Sequence, residues 1–433
     1  MPLALGFDYG LSRIGVATGQ TLTQTASPLI ALSAKDGTPR WEQIQALLDE
    51  WKPDLVVVGL PLHDDGSMSE MAERAKKFGQ RIHGRFGVHV EFINEYHSTR
   101  EAREHLNYRG KAGDQDGKLD ATAANDMLNS VIGLKTGDER HGACPTTNAL
   151  CERVADLFGM ESAVFLPSGS MCNQIAIAVH TQPGDEIICS RESHIVFAEA
   201  GGLAKLSGAM VSVIDCERGL FESSDVSRLY RRPSSFAPRT RLVVTEQTSN
   251  LGGGAIWPVE QLADVAKTAQ ELGLSVHMDG ARALNASVAT GIDLATYASD
   301  HDSAWLAFTK GLGCPVGAVL AGSRDFIERA WHFKRMFGGA MRQTGVLTAM
   351  CLHALDHHVE RLAEDHARAK RIETQLGGCE LFRQVYPVET NIVLAEIDPR
   401  FEISAPELRT FLALRNVQVM AVGTSKIRMI THL

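Results

Sequence analysis

The chain has 433 residues, 44% of them hydrophobic, with 39 glycines and a net charge of −9. That length points to about three domains of ordinary globular composition. Residues 1–125 carry 14 Lys+Arg against 17 Asp+Glu and the remainder 29 against 35, so neither part has the bulk basicity of a dedicated nucleic-acid binder. The opening MPLALGFDYG lacks the basic n-region and apolar core of a signal peptide, and no stretch is long enough to span a bilayer. All eight cysteines lie beyond residue 143 and none forms a CxxC pair. They read as free thiols in a reducing cytoplasm.

In chain order, LALGFDYG (3–10), RIGVATG (13–19) and ASPLIAL (26–32) read as short strands, followed by an amphipathic helix WEQIQALLDEW (41–51). An apolar strand LVVVGLP (55–61), a helix over 68–87, a strand HVEFINE (89–95) and a helix STREAREHL (98–106) come next. RGKAGDQDGK (109–118) reads as a mobile polar loop. Acids sit at element ends: Asp8 after LALGF, Glu95 after VEFIN, and Asp120 at the start of LDATAANDMLNSV. Carboxylates brought together at strand tips hold Mg²⁺ or Mn²⁺ for phosphodiester hydrolysis. Three acids in 120 residues are equally ordinary, and Asp120 also suits a helix N-cap.

GFDYGLSRIGVATGQ, ASPLIALSAKDGTPRW, VVGLPLHDDGS, RAKKFGQRIHGRFGV and GKLDATAA resemble the YqgF/RuvX family of RNase H-like nucleases over nearly all of residues 1–120. The resemblance implies a metal site at Asp8, Glu95 and Asp120, and structured RNA or DNA as partner: precursor 16S rRNA processing, earlier described as Holliday junction resolution. It departs at Asn94-Glu95-Tyr96, where the family has Asp-Glu-Arg; the acid is kept and a phosphate-holding arginine is lost. The family's final helix is cut short soon after Asp120.

From about residue 137 the alternation lengthens. Helices at 146–159, 170–181 and 259–273 alternate with strands SAVFLP (162–167), EIICS (186–190), MVSVID (210–215), RLVVTE (241–246) and LSVHMD (274–279). The strands are apolar on both faces, as in a parallel sheet covered by helices. After about residue 355 come a charged helix and a small αβ region, ETNIVLAEI (389–397) through KIRMITHL (426–433).

Within SAWLAFTKGLGCPVG (303–317), Lys310 follows an apolar strand. Either it snorkels at a strand end, or it is an amine kept neutral enough to attack a carbonyl. Pro167-Ser168-Gly169-Ser170 precedes a helix and offers N–H groups and hydroxyls to a phosphate. Asp279 ends a strand, as an ordinary turn residue or as the partner of a protonated ring nitrogen, with Arg282 beside it for an anion. His194 is a surface histidine or a ring-stacking one. Taken together, a phosphate cradle, a ring-nitrogen acid, a stacking histidine and a carbonyl-binding lysine describe pyridoxal phosphate, with the glycines after Lys310 allowing backbone to approach the ring.

HMDGARALNA, TKGLGCPVGAVLAGSRDFIERA, FGGAMRQTGVL, PSGSMCNQIAI and IRMITHL closely resemble the low-specificity threonine aldolases of the β-eliminating lyase group, over about residues 122–433. The resemblance implies cleavage of a β-hydroxy-α-amino acid to glycine and an aldehyde. It assigns the substrate carboxylate to Arg282 and Arg428, and assigns Arg335 and Arg342 to a neighbouring subunit's cofactor, hence a homodimer or homotetramer. It departs in lacking the family's Arg-Ser-Asp-Thr strand, in Ser249 where the family has histidine, in His141 where it has tyrosine, and in a last helix that the family has beyond Leu433.

The expected architecture is therefore α/β throughout: an RNase H-like domain at 1–121, then a fold-type I pyridoxal phosphate-dependent transferase-like domain at 122–355, then a small αβ domain at 356–433. The alternatives are a related lyase acting on phenylserine-like or other β-substituted amino acids, an inactive or RNA-binding first domain, and a chimeric gene product. Aldehyde and stereochemistry are not legible from these residues.

Overall fold

A computed structural model describes residues 3–20, 25–61, 67–94 and 134–432. The chain forms two compact units, Met1–Lys118 and Leu119–Leu433. The 98–106 helix, the 109–118 loop and the 119–131 helix read from the sequence lie outside the described residues, as do Glu95 and Asp120.

The first unit is built on a six-stranded sheet. Its strands are β1 (Leu3–Asp8), β2 (Arg13–Gln20), β3 (Thr25–Lys35), β4 (Thr38–Pro39), β5 (Leu55–Leu60) and β6 (Val90–Asn94), in the order β4-β3-β2-β1-β5-β6. β1 to β3 are an antiparallel meander, whereas β1, β5 and β6 run parallel. Parallel neighbours need crossovers, and these are α1 (Trp41–Trp51) and α2 (Glu70–Phe86). α2 starts where the Ser69 hydroxyl accepts from the Ala72 N–H at 3.0 Å and stops at Gly87, whose φ of 68° suits a residue without a Cβ. Its Phe78 and Ile82 pack with Leu5, Phe7, Val56 and Val58 in one buried core. At Gly79 a Cβ would come within 2.6 Å of the Phe92 ring, so glycine is what lets this helix lie against the sheet.

The second unit holds a seven-stranded sheet with strands β7 (Ser162–Leu166), β8 (Glu186–Ser190), β9 (Met210–Ile214), β10 (Thr240–Glu246), β11 (Ser275–Asp279), β12 (Ser303–Ala307) and β13 (Ala318–Gly322). Their order is β7-β13-β12-β11-β10-β8-β9. The pairs from β12 through β9 are parallel, and β13 alone runs against its neighbours β12 and β7. Its antiparallel course follows from the short glycine-containing return after Lys310, too short for a parallel crossover. Leu242, Val243, Val276, Leu306 and Val319 are at most 1% exposed, and each such burial is worth about 1.5–3 kcal/mol. Covering helices include α3 (Pro145–Phe158) and α4 (Gly169–His180).

A four-stranded antiparallel sheet completes the unit: β14 (Phe382–Val385), β15 (Ile392–Ile397), β16 (Met420–Val422) and β17 (Lys426–Ile430), ordered β14-β15-β17-β16. Helices Leu362–Leu376 and Ala405–Ala413 accompany it. β17 carries Arg428 opposite Leu394 on β15. Among the described residues, no helix is long and apolar enough to cross a membrane.

Candidate active site

The parallel strands of the seven-stranded sheet share one direction, so their C-terminal ends collect on one edge, where α/β sheets bind ligands. β7 delivers Ser168, Gly169 and Ser170; β8 delivers His194; β10 ends in Glu246; β11 ends in Asp279; β12 leads into Lys310. All of these line one cavity of about 220 Å³, together with Asn250, Ala281, Trp305, Ala307 and Thr309. Residues up to 142 positions apart in sequence thus converge through sheet order.

Lys310 stands with its Nζ 5.9 Å from the Trp305 ring centroid. Burial, with the nearby Arg282 guanidinium, pulls its pKa down to about 8 against the opposing pull of Asp279 and Glu246. Asp279 is 1% exposed. Burial pushes its carboxyl up, while Lys310 and a hydrogen bond from Asn173 hold it down. Its Oδ2 accepts from Asn173 Nδ2 at 2.8 Å and its Oδ1 from the Ala281 N–H at 3.1 Å. The His194 Nδ1 lies 2.8 Å from Glu199 Oε1, and its pKa is raised chiefly by that hydrogen bond. Glu246 is pushed up to about 7 by burial and by Asp279, although its two oxygens accept from the backbone N–H groups of His194 and Asn250, both at 2.8 Å.

The turn feeding α4 has its own packing reason. A Cβ at Gly169 would come within 2.1 Å of the Trp305 ring, so only glycine seats the helix start against the indole. The Ser168 hydroxyl accepts from the Met171 N–H at 3.3 Å, and Ser168, Gly169 and Ser170 at the start of α4 line the cavity, a placement that suits a phosphate. The glycines after Lys310, read from the sequence as room for a ring, have another role in the structure. A Cβ at Gly311 would strike Leu362 Cδ2 at 2.4 Å, and one at Gly317, where φ is +131°, would meet Phe165 at 2.9 Å. They seat the return loop on the core.

Two guanidiniums converge beside this cavity. Arg282 Nη1 and Arg428 Nη1 both donate to Asn250 Oδ1, at 3.0 and 2.5 Å. Burial and the neighbouring Arg428 lower the Arg282 pKa to about 10, and burial lowers that of Arg428. The Nε of each is buried without a hydrogen-bond partner among the described residues. Two cations sharing one neutral oxygen are under-neutralised, and an anion placed between them relieves that.

Arg335 and Arg342 stand outside the cavity lining. Arg335 Nη2 donates to the Arg140 carbonyl at 2.9 Å, and Arg342, with a side chain 67% exposed, lies 4.0 Å from Asp138. In the first unit Asp8 is exposed at the end of β1. Among the described residues there is no cluster of three or more potential metal ligands. The sequence reading missed the site roles of Asn173, Glu199, Glu246, Asn250 and Trp305. Glu246 had a signal, since it ends a parallel strand as Asp279 does. Asn173 is an amide inside the apolar run MCNQIAIAV.

The donor set fits pyridoxal phosphate: a lysine of depressed pKa for its carbonyl carbon, a buried carboxylate for its ring nitrogen, and a helix N-terminus for its phosphate. Fold and donor set together suit a pyridoxal phosphate-dependent enzyme. The beta-eliminating lyase family matches residues 120–399, and a Holliday junction resolvase family, RuvX, matches residues 3–133, so the two matches overlap at 120–133. The chain is 36% identical over 310 residues to a low specificity L-threonine aldolase of Escherichia coli K12, covering 71% of this chain and 90% of that protein. It is likewise 36% identical over 313 residues to a probable low-specificity L-threonine aldolase 2 of Arabidopsis thaliana, covering 71% and 88%. A solved threonine aldolase of Leishmania major shares the fold, with a TM-score of 0.59 at 20% identity over 72% of this chain and 90% of that one. The chain belongs to the beta-eliminating lyase family.

Proposed function

We propose that the second unit cleaves a β-hydroxy-α-amino acid of the threonine type to glycine and an aldehyde. The observation that carries this reading is the pair Arg282 and Arg428 converging on one oxygen beside Lys310. That pair is a seat for an α-carboxylate, and it fixes which face of the amino acid meets the lysine. Pyridoxal phosphate, when bound, supplies an electron sink for negative charge at the substrate Cα. Lys310 would hold its carbonyl carbon, Asp279 its ring nitrogen, and Ser168, Gly169 and Ser170 its phosphate. His194, its pKa raised chiefly by the hydrogen bond to Glu199, stands at the cavity wall. In the reaction a base removes the β-hydroxyl proton, the Cα–Cβ bond breaks as the carbonyl forms, and a proton then returns to Cα.

Ser249 stands where the threonine aldolase pattern has histidine. Its hydroxyl lies against the loop glycines: Cβ atoms at Gly219 and Gly252 would meet it at 2.2 and 2.6 Å. Without the histidine's imidazole, threonine turnover is expected to be weak, with an aromatic preference. The test measures glycine and aldehyde together from threonine, allo-threonine and phenylserine. Equimolar glycine and aldehyde, with KM raised about 10–100-fold in Arg428→Lys at unchanged cofactor content, supports the reading; the range corresponds to one charge-assisted contact. Ammonia and a keto acid without glycine would replace it with elimination on another β-substituted amino acid. The reading includes a homodimer or homotetramer in which Arg335 and Arg342 reach a second copy's cofactor.

For the first unit the same proposal takes an RNase H-like nuclease bearing Mg²⁺ or Mn²⁺ at Asp8, Glu95 and Asp120. Support comes from strand order: β1 and β6 flank β5 in one parallel set, so Asp8 and Asn94 end strands on the same edge. The full chain is expected to bind one Mn²⁺ more than Asp8→Asn does, and to cleave structured RNA or DNA only with metal. Equal Mn²⁺ binding by the two proteins and no cleavage would leave an inactive or RNA-binding module.

A further inference from the structure

Asn173, on the second turn of α4, is fully buried and makes four side-chain hydrogen bonds. Its Nδ2 donates to Asp279 Oδ2 and to Glu199 Oε1, both at 2.8 Å. Its Oδ1 faces Trp305 Nε1 at 2.7 Å and His277 Nε2 at 3.2 Å. An indole N–H can only donate, so the amide atom facing Trp305 must be the oxygen, which settles the orientation that is otherwise ambiguous for an asparagine. Both hydrogens of Nδ2 then point at the two carboxylates.

This orientation propagates outward. Asn173 Oδ1 carries no hydrogen, so His277 must donate from Nε2 and accept at Nδ1, where Ser303 Oγ stands at 2.8 Å. The Ser303 hydroxyl hydrogen is thereby committed to His277, and its lone pair faces His180 Nε2, also at 2.8 Å. Burial holds both histidines neutral, His277 well below its ordinary range and His180 at about 3. The row therefore carries no titrating group that would reverse its polarity near neutral pH. Its far end delivers one hydrogen each to Asp279 and Glu199, and neither oxygen can carry a proton on the side facing Asn173.

We infer that Asn173 is a positioning residue that donates to Asp279 in its ionised form and, with its second hydrogen, ties it to Glu199, joining the acid for the cofactor's ring nitrogen to the carboxylate that orients His194. A buried carboxylate such as Asp279 tends to take up a proton, and burial pushes its pKa up. One amide with two hydrogens satisfies both carboxylates without adding charge. The remaining groups around Asp279 are Lys310, His194, Arg282, Glu246 and the Cys172 thiol; of these, the three basic groups are also needed for ligands.

The inference rests on the pyridoxal phosphate reading, and its test separates the two. Binding of pyridoxal phosphate and of its 1-deaza analogue, in which carbon replaces the ring nitrogen, is measured for wild type, Asn173→Leu, Asn173→Asp and Asp279→Asn, with thermal melting followed for each. Wild type is expected to prefer pyridoxal phosphate by about 10–100-fold, the worth of one hydrogen bond involving an ionised group. Asn173→Leu should erase that preference as Asp279→Asn does, while binding the deaza analogue nearly as wild type binds it. Asn173→Asp keeps the volume, so it reports even if the leucine variant does not fold, and should reduce the preference by about tenfold or more. If the asparagine variants weaken both compounds equally and preserve the ratio, Asn173 is only packing and the inference is wrong. If wild type binds neither compound, the cofactor reading itself falls, and this inference with it.

Discussion

Replacing Lys310 by alanine will lower glycine release by at least about 10³-fold, the upper range for loss of one positioned nucleophilic or acid–base group. The variant should also bind pyridoxal phosphate without the visible absorbance band of wild type. The reason lies in the amine's environment. An ordinary lysine is almost wholly protonated at neutral pH, whereas burial and Arg282 bring Lys310 to about 8, leaving an appreciable fraction free to react with a carbonyl. Cofactor incorporation into wild type should accordingly speed up as pH rises toward 8 and then level off. The stability effect has the opposite sense to the activity effect. A lysine whose folded pKa lies below its unfolded value costs stability where it is protonated in both states, below about pH 8, and that cost fades as it releases its proton on folding at higher pH. Cofactor-free Lys310→Ala should therefore melt higher than wild type at pH 7, with the difference shrinking above pH 8.

The second large effect belongs to Asp279→Asn. We expect kcat to fall about 10²–10³-fold, the order of a broken buried ion pair, with little loss of melting temperature. The carboxyl's pKa is raised by burial, which means its ionised form is held in place at a cost to folding near neutral pH. An isosteric amide removes that cost and still accepts from Asn173 through its oxygen, giving up only the 3.1 Å bond from the Ala281 N–H. A side chain that taxes stability while serving a ligand is the signature of a functional position. Equal losses in kcat and melting temperature would assign Asp279 to structure.

The sequence carried much of this. β11 and β12 were legible because buried parallel strands read as unbroken apolar runs, and Asp279 and Lys310 stood out as charges directly after them. Ser168 to Ser170 could be recognised from a small-residue turn ahead of a helix. The course of β13 was not legible, since an apolar run has no direction. Asn173 and Trp305 were hidden for a related reason: they sit inside apolar elements, and their roles come from hydrogen bonds spanning 106 and 132 residues of sequence. Asn250 was hidden because its part is to lie between two arginines that come from β17 and from the loop after β11. Glycine carried a misleading signal. Gly311 and Gly317 adjoin the lysine in sequence, yet Leu362 and Phe165, which require them to be small, come from elsewhere in the fold.

The central claim is that the strand-end cavity of the second unit holds pyridoxal phosphate through Lys310. Borohydride reduction of the cofactor-loaded full chain, followed by peptide mapping, tests it most directly, because it reads the covalent attachment and not turnover. A single pyridoxyl tag on Lys310 is expected, absent from Lys310→Ala and retained in Asn173→Asp. A tag on a different lysine, or no tag at saturating cofactor, would contradict it.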